Sequence, residues 1–266
     1  MACRADRDAV AMSDDRPAVA GPHDSRICSY GLGRILNAST VVTGRSIRRW
    51  YEFDYDTGGV RVAPRATTDF AQAGYCIVRQ LLREPARAFL HDYARKAAHA
   101  GRLSAGDTQL PNTPSRYADP FMESVLQNLL PQIAEASGLH LYPTYSYFRV
   151  YKHGDVLAAH VDRPSCEVSV TISVGCDADA AWPVWVERQG TATPIELDPG
   201  DGMLYRGTEV RHWRDAFAGT EATQLFLHYV DQDGPHREWK FDRRERLGTS
   251  AATDAIVERL TRQGPA

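Results

Sequence analysis

The chain has 266 residues, 43% of them hydrophobic, and a formal net charge of −3. It is long enough to bury a proper core, and its charge balance gives no sign of a surface that binds nucleic acid. Its five cysteines are widely spaced and include no Cys-x-x-Cys pair, which argues against a zinc ribbon and against a secreted disulfide framework.

Residues 1–63 are predicted to form an N-terminal extension that is partly disordered, because they mix Arg, Asp, Ser and Gly with only short apolar clusters. The opening "MACRADRDAVAMSDDRP" lacks the continuous apolar run of a signal peptide. No stretch of the chain reaches the length of a membrane span. We therefore expect a cytoplasmic protein with no membrane and no nucleic acid among its partners.

Residues 64–138 are predicted to supply helices that support a later sheet. The stretch "TTDFAQAGYCIVRQLL" indicates a short helix, a glycine stop and a strand, and a second helix opens at Pro85. Asp119 and Pro120 are predicted as the N-cap and first-turn proline of a third helix. Pro131 is expected to kink or split that helix.

Residues 139–235 show short strands in place of the helical period. The candidates are "LYPTYSYFRVY", "VLAAHV", "EVSVTISVG", "WPVWVE", "TPIEL", "GMLYRG" and "ATQLFLHYVD", separated by Gly, Pro and Asp turns. Regular short strands with such turns indicate an antiparallel sandwich or barrel, so the fold class is α+β and mainly β. Residues 236–266 form a charged C-terminal tail with one short helix predicted near 252–263.

The stretch "AAHVDRP" contains two candidate metal ligands. His160 and Asp162 are two residues apart at the end of a predicted strand, so their side chains share one face. A third ligand should lie on a later strand that runs close by. His212 fits, since it follows the turn "PGDG" and the strand "MLYR", and His228 is the competing histidine. Two imidazoles and one carboxylate on one face of an iron leave three open positions, which is typical of non-haem Fe(II) oxygenases.

With these ligands in this strand order, residues 67–231 resemble the Fe(II)/2-oxoglutarate-dependent dioxygenases, and most of all their prolyl-4-hydroxylase-like branch. The resemblance implies a double-stranded β-helix, or jelly roll, with Fe(II) held by His160, Asp162 and His212. It also implies 2-oxoglutarate and O2 as cosubstrates, with ascorbate as a candidate reductant. The implied reaction hydroxylates a C–H bond and releases succinate and CO2. Because Asp162 is present, hydroxylation is favoured over halogenation.

The cation that should bind 2-oxoglutarate is not where the family usually has it. Members carry an Arg or Lys on the strand after the distal histidine, but "ATQLFLHYVD" has neither. We expect Arg214 to bind the far carboxylate instead, because it lies two residues after His212 and a guanidinium suits bidentate carboxylate binding. Arg206 and Arg149 are the alternatives.

Three uncharged residues, Tyr151, Ser173 and Gln224, are expected to contact the bound acid from inward-facing strand positions. The long polar segment 104–120 is expected to close over the substrate, because loops of this length in a compact domain are often lids. The substrate itself is an amino acid, a peptidyl residue or a small metabolite, and the sequence does not choose among them.

Two other functions fit the same pattern. The first is a jelly-roll metalloenzyme that uses the same three ligands without 2-oxoglutarate, and the missing strand cation favours it. The second is a non-catalytic jelly-roll module that binds a ligand or partner. The three intact ligands argue against the second, since a binding module does not need a metal site with open positions.

Overall fold

In the computed structural model of the protein, the described residues are 52–54, 59–61 and 68–249. The helices are α1 (Thr68–Ala73), α2 (Ala86–His99) and α3 (Pro120–Ser137), with 3-10 turns at Pro164–Cys166 and Arg237–Arg243. The strands are β1 (Glu52–Asp54), β2 (Gly59–Arg61), β3 (Tyr75–Val78), β4 (Ser115–Tyr117), β5 (Leu141–Lys152), β6 (Leu157–His160), β7 (Val168–Asp177), β8 (Val184–Arg188), β9 (Thr191–Ile195), β10 (Gly202–Arg206), β11 (Arg211–Arg214) and β12 (Glu221–Asp231). The prediction of a mainly β protein with preceding helices is confirmed.

The strands form two antiparallel sheets. The larger has the order β1-β2-β5-β12-β7-β10-β3, with β4 also paired to β5. The smaller has the order β6-β11-β8-β9. Strands that are neighbours in the chain, such as β5 and β6, lie in different sheets, which is the alternation of a jelly roll. The space between the sheets is therefore lined by both.

The helices cover the outer face of the larger sheet. Alternation along β5 sends Phe148 and Val150 to this face, where both are fully buried. They join one apolar core with α2, α3 and the outer side chains of β7 and β12. The members of this core from α3 are Met122, Leu126, Leu129, Leu130, Ile133 and Ala134.

Helix α3 has the predicted N-terminus but not the predicted break. The Asp119 carboxylate accepts hydrogen bonds from the first-turn N–H groups of Phe121 and Met122, and Pro120 opens the helix. The helix then runs without interruption through Pro131 to Ser137, so the expected split is wrong. A proline inside a helix costs about 3 kcal/mol. Burying the large apolar side chains around it against the sheet offsets that cost, at roughly 1.5–3 kcal/mol each.

The domain boundaries predicted from the sequence, 1–63, 64–235 and 236–266, remain predictions. Two short strands of the first segment, β1 and β2, pair with each other and join the sheet where Val60 lies opposite Leu141. In the third segment, Arg244 forms a buried ion pair with Glu123 of α3. The helix predicted near 252–263 lies outside the described residues. None of the described helices is both long and apolar enough to cross a membrane.

Candidate metal centre and its cavity

His160, Asp162 and His212 meet at one end of the space between the sheets. His160 ends β6 and lies directly opposite His212 on β11 in the antiparallel register. Asp162 follows in the loop after β6, and its Oδ1 lies 3.5 Å from His160 Nε2 and 3.7 Å from His212 Nε2. Ligand atoms about 2.1 Å from one ion and at right angles to each other are separated by about 3 Å. All three ligand atoms lie within 4.8 Å of one another, so they could hold a single metal ion after a contraction of the group.

Both imidazoles direct their Nε2 atoms toward the position that a metal ion would occupy. His160 Nδ1 lies 2.8 Å from the Ala158 carbonyl oxygen, and His212 Nδ1 lies 2.9 Å from the Val210 carbonyl oxygen. A carbonyl only accepts, so each Nδ1 carries the proton and donates it. Each Nε2 is then left with a free lone pair, as metal-ligating histidines require.

The Asp162 carboxylate is fixed through its other oxygen. Oδ2 accepts a hydrogen bond of 3.0 Å from the Ser169 hydroxyl, and the backbone N–H of Asp162 donates to the Gly207 carbonyl oxygen at 2.8 Å. A Cβ on Gly207 would come within 2.6 Å of Oδ2, so this close approach needs a glycine. Oδ1 is left facing the two imidazoles.

The electrostatics of two of the three side chains, Asp162 and His212, also fit a cation. At His160 the effect of burial is outweighed by the hydrogen bond to Asp162, which raises the pKa of the imidazole, so a metal ion would compete with a proton there. Burial raises the pKa of the Asp162 carboxyl, but the hydrogen bond to His160 and the nearby imidazoles outweigh it, so the pKa lies below its usual range. The carboxylate is thus ionised at neutral pH. Burial lowers the pKa of His212, which favours the neutral imidazole that a metal binds.

His228, the competing histidine, lies beneath this group and not in it. Its ring packs against Tyr145 with centroids 4.5 Å apart, and its Nδ1 lies 2.9 Å from Ser169 Oγ. Burial lowers its pKa to about 4, so it is neutral. His228, Asp162 and Cys166 also lie close enough to hold an ion. Burial raises the pKa of the Cys166 thiol to about 12, however, so this group lacks the thiolate that would make it a good site.

The three residues open onto a cavity of about 170 Å³. A single water needs about 10–15 Å³ on this measure, so the cavity has room for a small organic molecule. Its lining residues come from both sheets and from the segment before α3: Asp107, Gln109, Tyr117, Tyr145, Tyr147, Arg149, Leu157, His160, Asp162, Tyr205, His212, Phe226 and His228.

Arg214 lies on β11 on the same side as the cavity but is closed off from it. Its guanidinium donates to the Trp182 carbonyl oxygen at 2.7 Å and to Gln224 Oε1 at 3.2 Å, and it lies over the Trp182 ring. Both acceptors are neutral, and burial lowers the pKa of this arginine. Tyr151 contacts the edge of Trp182, and Ser173 is buried on β7 in register with Gln224. The structure thus brings Arg214 and Gln224 into contact and places Tyr151 and Ser173 around them.

The two alternative arginines differ in position. Arg206 lies at the end of β10 on the helix-covered side, over the Phe70 ring and 3.8 Å from Glu209, away from the cavity. Arg149 lines the cavity from β5 and pairs with Asp107 at 2.5 Å. The sequence pattern marked segment 104–120 as a lid but did not identify Asp107. A carboxylate in a polar loop has no periodic signal to single it out.

Two tryptophans on the smaller sheet face away from the cavity. Trp185 on β8 and Trp213 on β11 are register partners. Their rings stack with centroids 5.9 Å apart and an interplanar angle of 7°. Trp213 directly follows His212, so strand alternation sends the two side chains to opposite faces.

No protein-family model matches the chain, and no curated protein matches it. Solved structures do. A prolyl-4-hydroxylase from Pseudomonas putida is 18% identical with a TM-score of 0.51, over 62% of this chain and 96% of that one. A prolyl hydroxylase from Trichoplax adhaerens, in complex with a peptide fragment of hypoxia inducible factor, is 14% identical with a TM-score of 0.51, over 62% and 87%. HygX from Streptomyces hygroscopicus, with nickel, 2-oxoglutarate and hygromycin B bound, is 12% identical with a TM-score of 0.50, over 62% and 86%. The resemblance predicted from the sequence is confirmed at the level of the fold.

Proposed function

We propose that the protein is an Fe(II)- and 2-oxoglutarate-dependent dioxygenase that hydroxylates an unactivated C–H bond. The observation that carries this proposal is the convergence of two Nε2 lone pairs, from His160 and His212, on the free oxygen of Asp162 at the end of a cavity. The fold, shared with solved oxygenases of this kind, supports it.

In this proposal the metal ligands are His160 Nε2, His212 Nε2 and Asp162 Oδ1. Three protein ligands leave the remaining positions of the ion open to exogenous molecules. Fe(II) bound there would supply oxidation chemistry in which 2-oxoglutarate, O2 and a substrate C–H bond are converted to succinate, CO2 and a C–OH group. The backbone carbonyls of Ala158 and Val210 keep both imidazoles in the required tautomer throughout.

Arg214 is our proposal for binding the far carboxylate of 2-oxoglutarate. Its charge is buried, and its two acceptors among the described residues, the Trp182 carbonyl and the Gln224 side chain, are neutral, an arrangement that an entering anion would stabilise. Gln224, Tyr151 and Ser173 complete the proposed contacts. Arg214 donates to the Trp182 carbonyl oxygen and lies over the Trp182 ring, so both the backbone and the ring of Trp182 must shift for an anion to reach the guanidinium.

A second candidate is a metalloenzyme with the same ligands that does not use 2-oxoglutarate. One observation favours it. Strand β12 carries no Arg or Lys, and Arg214 does not line the cavity. An acidic cosubstrate would then find no cation on the strand after the distal histidine, where the dioxygenases usually carry it.

The proposed substrate is an amino acid, a peptidyl residue or a small metabolite, with O2 as the second reactant. Solved proteins of the same fold include one in complex with a peptide fragment and one with hygromycin B bound, which is why both classes are retained. Ascorbate is proposed as a reductant and the cytoplasm as the compartment.

Anaerobic titration tests the function. Fe(II) is added to the protein under argon, followed by 2-oxoglutarate, while the visible spectrum is recorded. A charge-transfer band in the green region, absent in His160→Ala and Asp162→Ala and retained in the control Glu209→Gln, is expected. Glu209 suits the control because its side chain is 60% exposed and lies near Arg206, outside the cavity. Iron binding without the band would contradict the use of 2-oxoglutarate and favour the second candidate.

A further inference from the structure

Arg149 is a buried cation inside the same cavity as the candidate metal ligands. It lies on the inner face of β5, opposite Gln224 of β12 in the register, and its side chain is 6% exposed. The rings of Tyr147, Phe226 and Tyr151 lie 5.1, 5.8 and 6.0 Å from its guanidinium carbon. Neither the metal site nor the proposed 2-oxoglutarate contacts use this residue.

The guanidinium of Arg149 is only partly satisfied. Its Nη2 donates to Asp107 Oδ2 at 2.5 Å and to Gln109 Oε1 at 2.8 Å, and its Nη1 lies 3.3 Å from the Tyr151 hydroxyl. Its Nε is buried and has no hydrogen-bond partner among the described residues. An unpaired buried donor loses its hydration without gaining a hydrogen bond, so the arrangement favours a further acceptor.

The missing partner has a defined shape. Nε and Nη2 lie on one edge of a guanidinium, and a carboxylate with both oxygens on that edge makes two parallel hydrogen bonds. Asp107 uses one oxygen there, Oδ2, and leaves Nε empty. A carboxylate from an exogenous molecule that reached this edge with both oxygens would satisfy the donor that Asp107 does not.

Asp107 connects this cation to the segment before α3. Its second oxygen, Oδ1, accepts from the backbone N–H groups of Gln109 and Leu110 at 2.9 Å each. Leu110 is buried in a cluster with Tyr151. The same carboxylate therefore shapes the loop through one oxygen and covers Arg149 through the other. Its side chain is 30% exposed, so it reaches water more readily than the arginine does.

We propose that Arg149 binds a carboxylate of the molecule that enters the cavity, and that Asp107 occupies this cation until the ligand replaces it. This rests on the proposed function and narrows its substrate class to carboxylic acids. Exchange of one carboxylate for another keeps the buried charge paired throughout, which is why the step is feasible at a site where an unpaired arginine would be costly. Tyr147 and Phe226 flank the cation and suit an apolar or aromatic body attached to that acid.

Two sources of the carboxylate are chemically equivalent at this edge, the organic substrate and 2-oxoglutarate itself. The assignment above gives 2-oxoglutarate to Arg214 and the substrate to Arg149. Separate titrations distinguish them. One uses 2-oxoglutarate with Fe(II) under argon, and the other adds benzoate to the protein already loaded with Fe(II) and 2-oxoglutarate. Benzamide, which has the same shape without the charge, is the matched probe.

Three variants give the test its controls. Asp107→Asn keeps an oxygen for the Gln109 and Leu110 N–H groups but removes the charge that competes for Arg149. Arg149→Met keeps the length of the side chain and removes the cation. Glu209→Gln removes an exposed carboxylate away from the cavity.

Benzoate is expected to bind Asp107→Asn several-fold more tightly than the wild type and Arg149→Met at least about tenfold more weakly, because hydrogen bonds to a charged group are lost. Benzamide should bind all variants alike. Benzoate should also speed hydrogen exchange at the amides of Gln109 and Leu110 in the wild type, as the carboxylate that holds them moves.

The outcomes separate cleanly. If Arg149→Met weakens the binding of 2-oxoglutarate and not that of benzoate, Asp107 is still replaced at Arg149 by an entering carboxylate. That carboxylate then belongs to 2-oxoglutarate and not to the substrate. If affinities for both acids agree within about twofold across wild type, Asp107→Asn and Arg149→Met, and amide exchange is unchanged, the proposal is overturned. Failure of the proposed function shows elsewhere, as a wild type without the charge-transfer band. In that case benzoate is titrated into the protein without 2-oxoglutarate.

Discussion

The two faces of β5 are equally buried and chemically opposite. On the outer face Phe148 and Val150 are fully buried among apolar side chains of the helices. On the inner face Arg149 and Tyr151 are 5% and 0% exposed, yet Arg149 carries a charge into the cavity and Tyr151 places a hydroxyl beside that charge. Burial alone therefore does not separate residues that stabilise the fold from residues that carry chemistry. The two kinds of residue are distinguished by what each side chain contacts, which is apolar side chains on the outer face and polar groups on the inner face.

This difference predicts that substitutions on the two faces change different properties. The outer face contributes transfer free energy, so its variants should lose stability. The inner face contributes positioned polar atoms, each paired at a cost in desolvation, so its variants should lose binding or turnover. The four predictions below test that separation in order of decreasing effect.

Asp162→Ala should give the largest change. Removing the carboxylate leaves two imidazoles and should reduce metal-dependent turnover by roughly a thousandfold or more, since metal catalysis contributes several kcal/mol. The fold should remain, because the side chain is 13% exposed at a cavity wall and not part of the apolar core. Succinate release measures the first property and far-UV circular dichroism the second. Full turnover in this variant would refute the ligand assignment.

Phe148→Ala should lower the free energy of unfolding by about 3–5 kcal/mol, because it leaves a cavity in the apolar core under α2 and α3. The folded fraction should still bind one metal ion with unchanged affinity. Urea unfolding and metal titration at low temperature measure the two properties. A loss of metal affinity equal to the loss of stability would show that the two faces are not separable.

Ser169→Ala should weaken metal binding by about tenfold, in the range seen when a group that orients a ligand is removed. The Ser169 hydroxyl donates to Asp162 Oδ2 and lies 2.9 Å from His228 Nδ1. Without it the carboxylate is free to turn Oδ1 away from the imidazoles. Ser169→Thr retains the hydroxyl and should restore most of the affinity, whereas a purely steric role predicts that threonine is the worse substitution.

His91→Gln should give the smallest change. His91 lies on α2 at the outer face, with Nδ1 3.1 Å from Thr223 Oγ1, and burial with two nearby arginines lowers its pKa. The unfolded chain therefore binds a proton at this residue more readily below about pH 6.5, and stability falls as the pH drops below that value. His91→Gln should flatten this part of the stability profile and leave metal binding untouched. If the free energy of unfolding changes with pH equally in wild type and variant, His91 does not cause this pH dependence.

Strand alternation explains how much of the site could be predicted. A period of two puts Arg149 and Val150 on opposite faces of one strand, and it places His160 and Asp162 on one side of a strand end. His212 could be identified because it follows a recognisable turn on a later strand. These inferences need only local spacing.

The remaining features depend on contacts between distant segments. Asp107 reaches Arg149 from 42 residues away, and Trp182 covers Arg214 from 32 residues away. No local period reports either pairing. The uninterrupted α3 is similar, because the apolar contacts that tolerate Pro131 are tertiary. Local rules predicted a kink or a split at Pro131, and the split does not occur because packing holds the helix together.

The stacked pair of Trp185 and Trp213 makes the protein its own optical probe. Parallel indole rings at this distance couple their ultraviolet transitions, and Trp213 is joined to His212 by a single peptide unit. If β11 shifts when His212 binds a metal ion, the coupling between the two indole rings would change. The near-ultraviolet circular dichroism and the tryptophan fluorescence would then change as well. Metal binding at His212 could then be followed over time without an added label. Comparison with Trp213→Phe would separate the signal of this pair from that of the other four tryptophans.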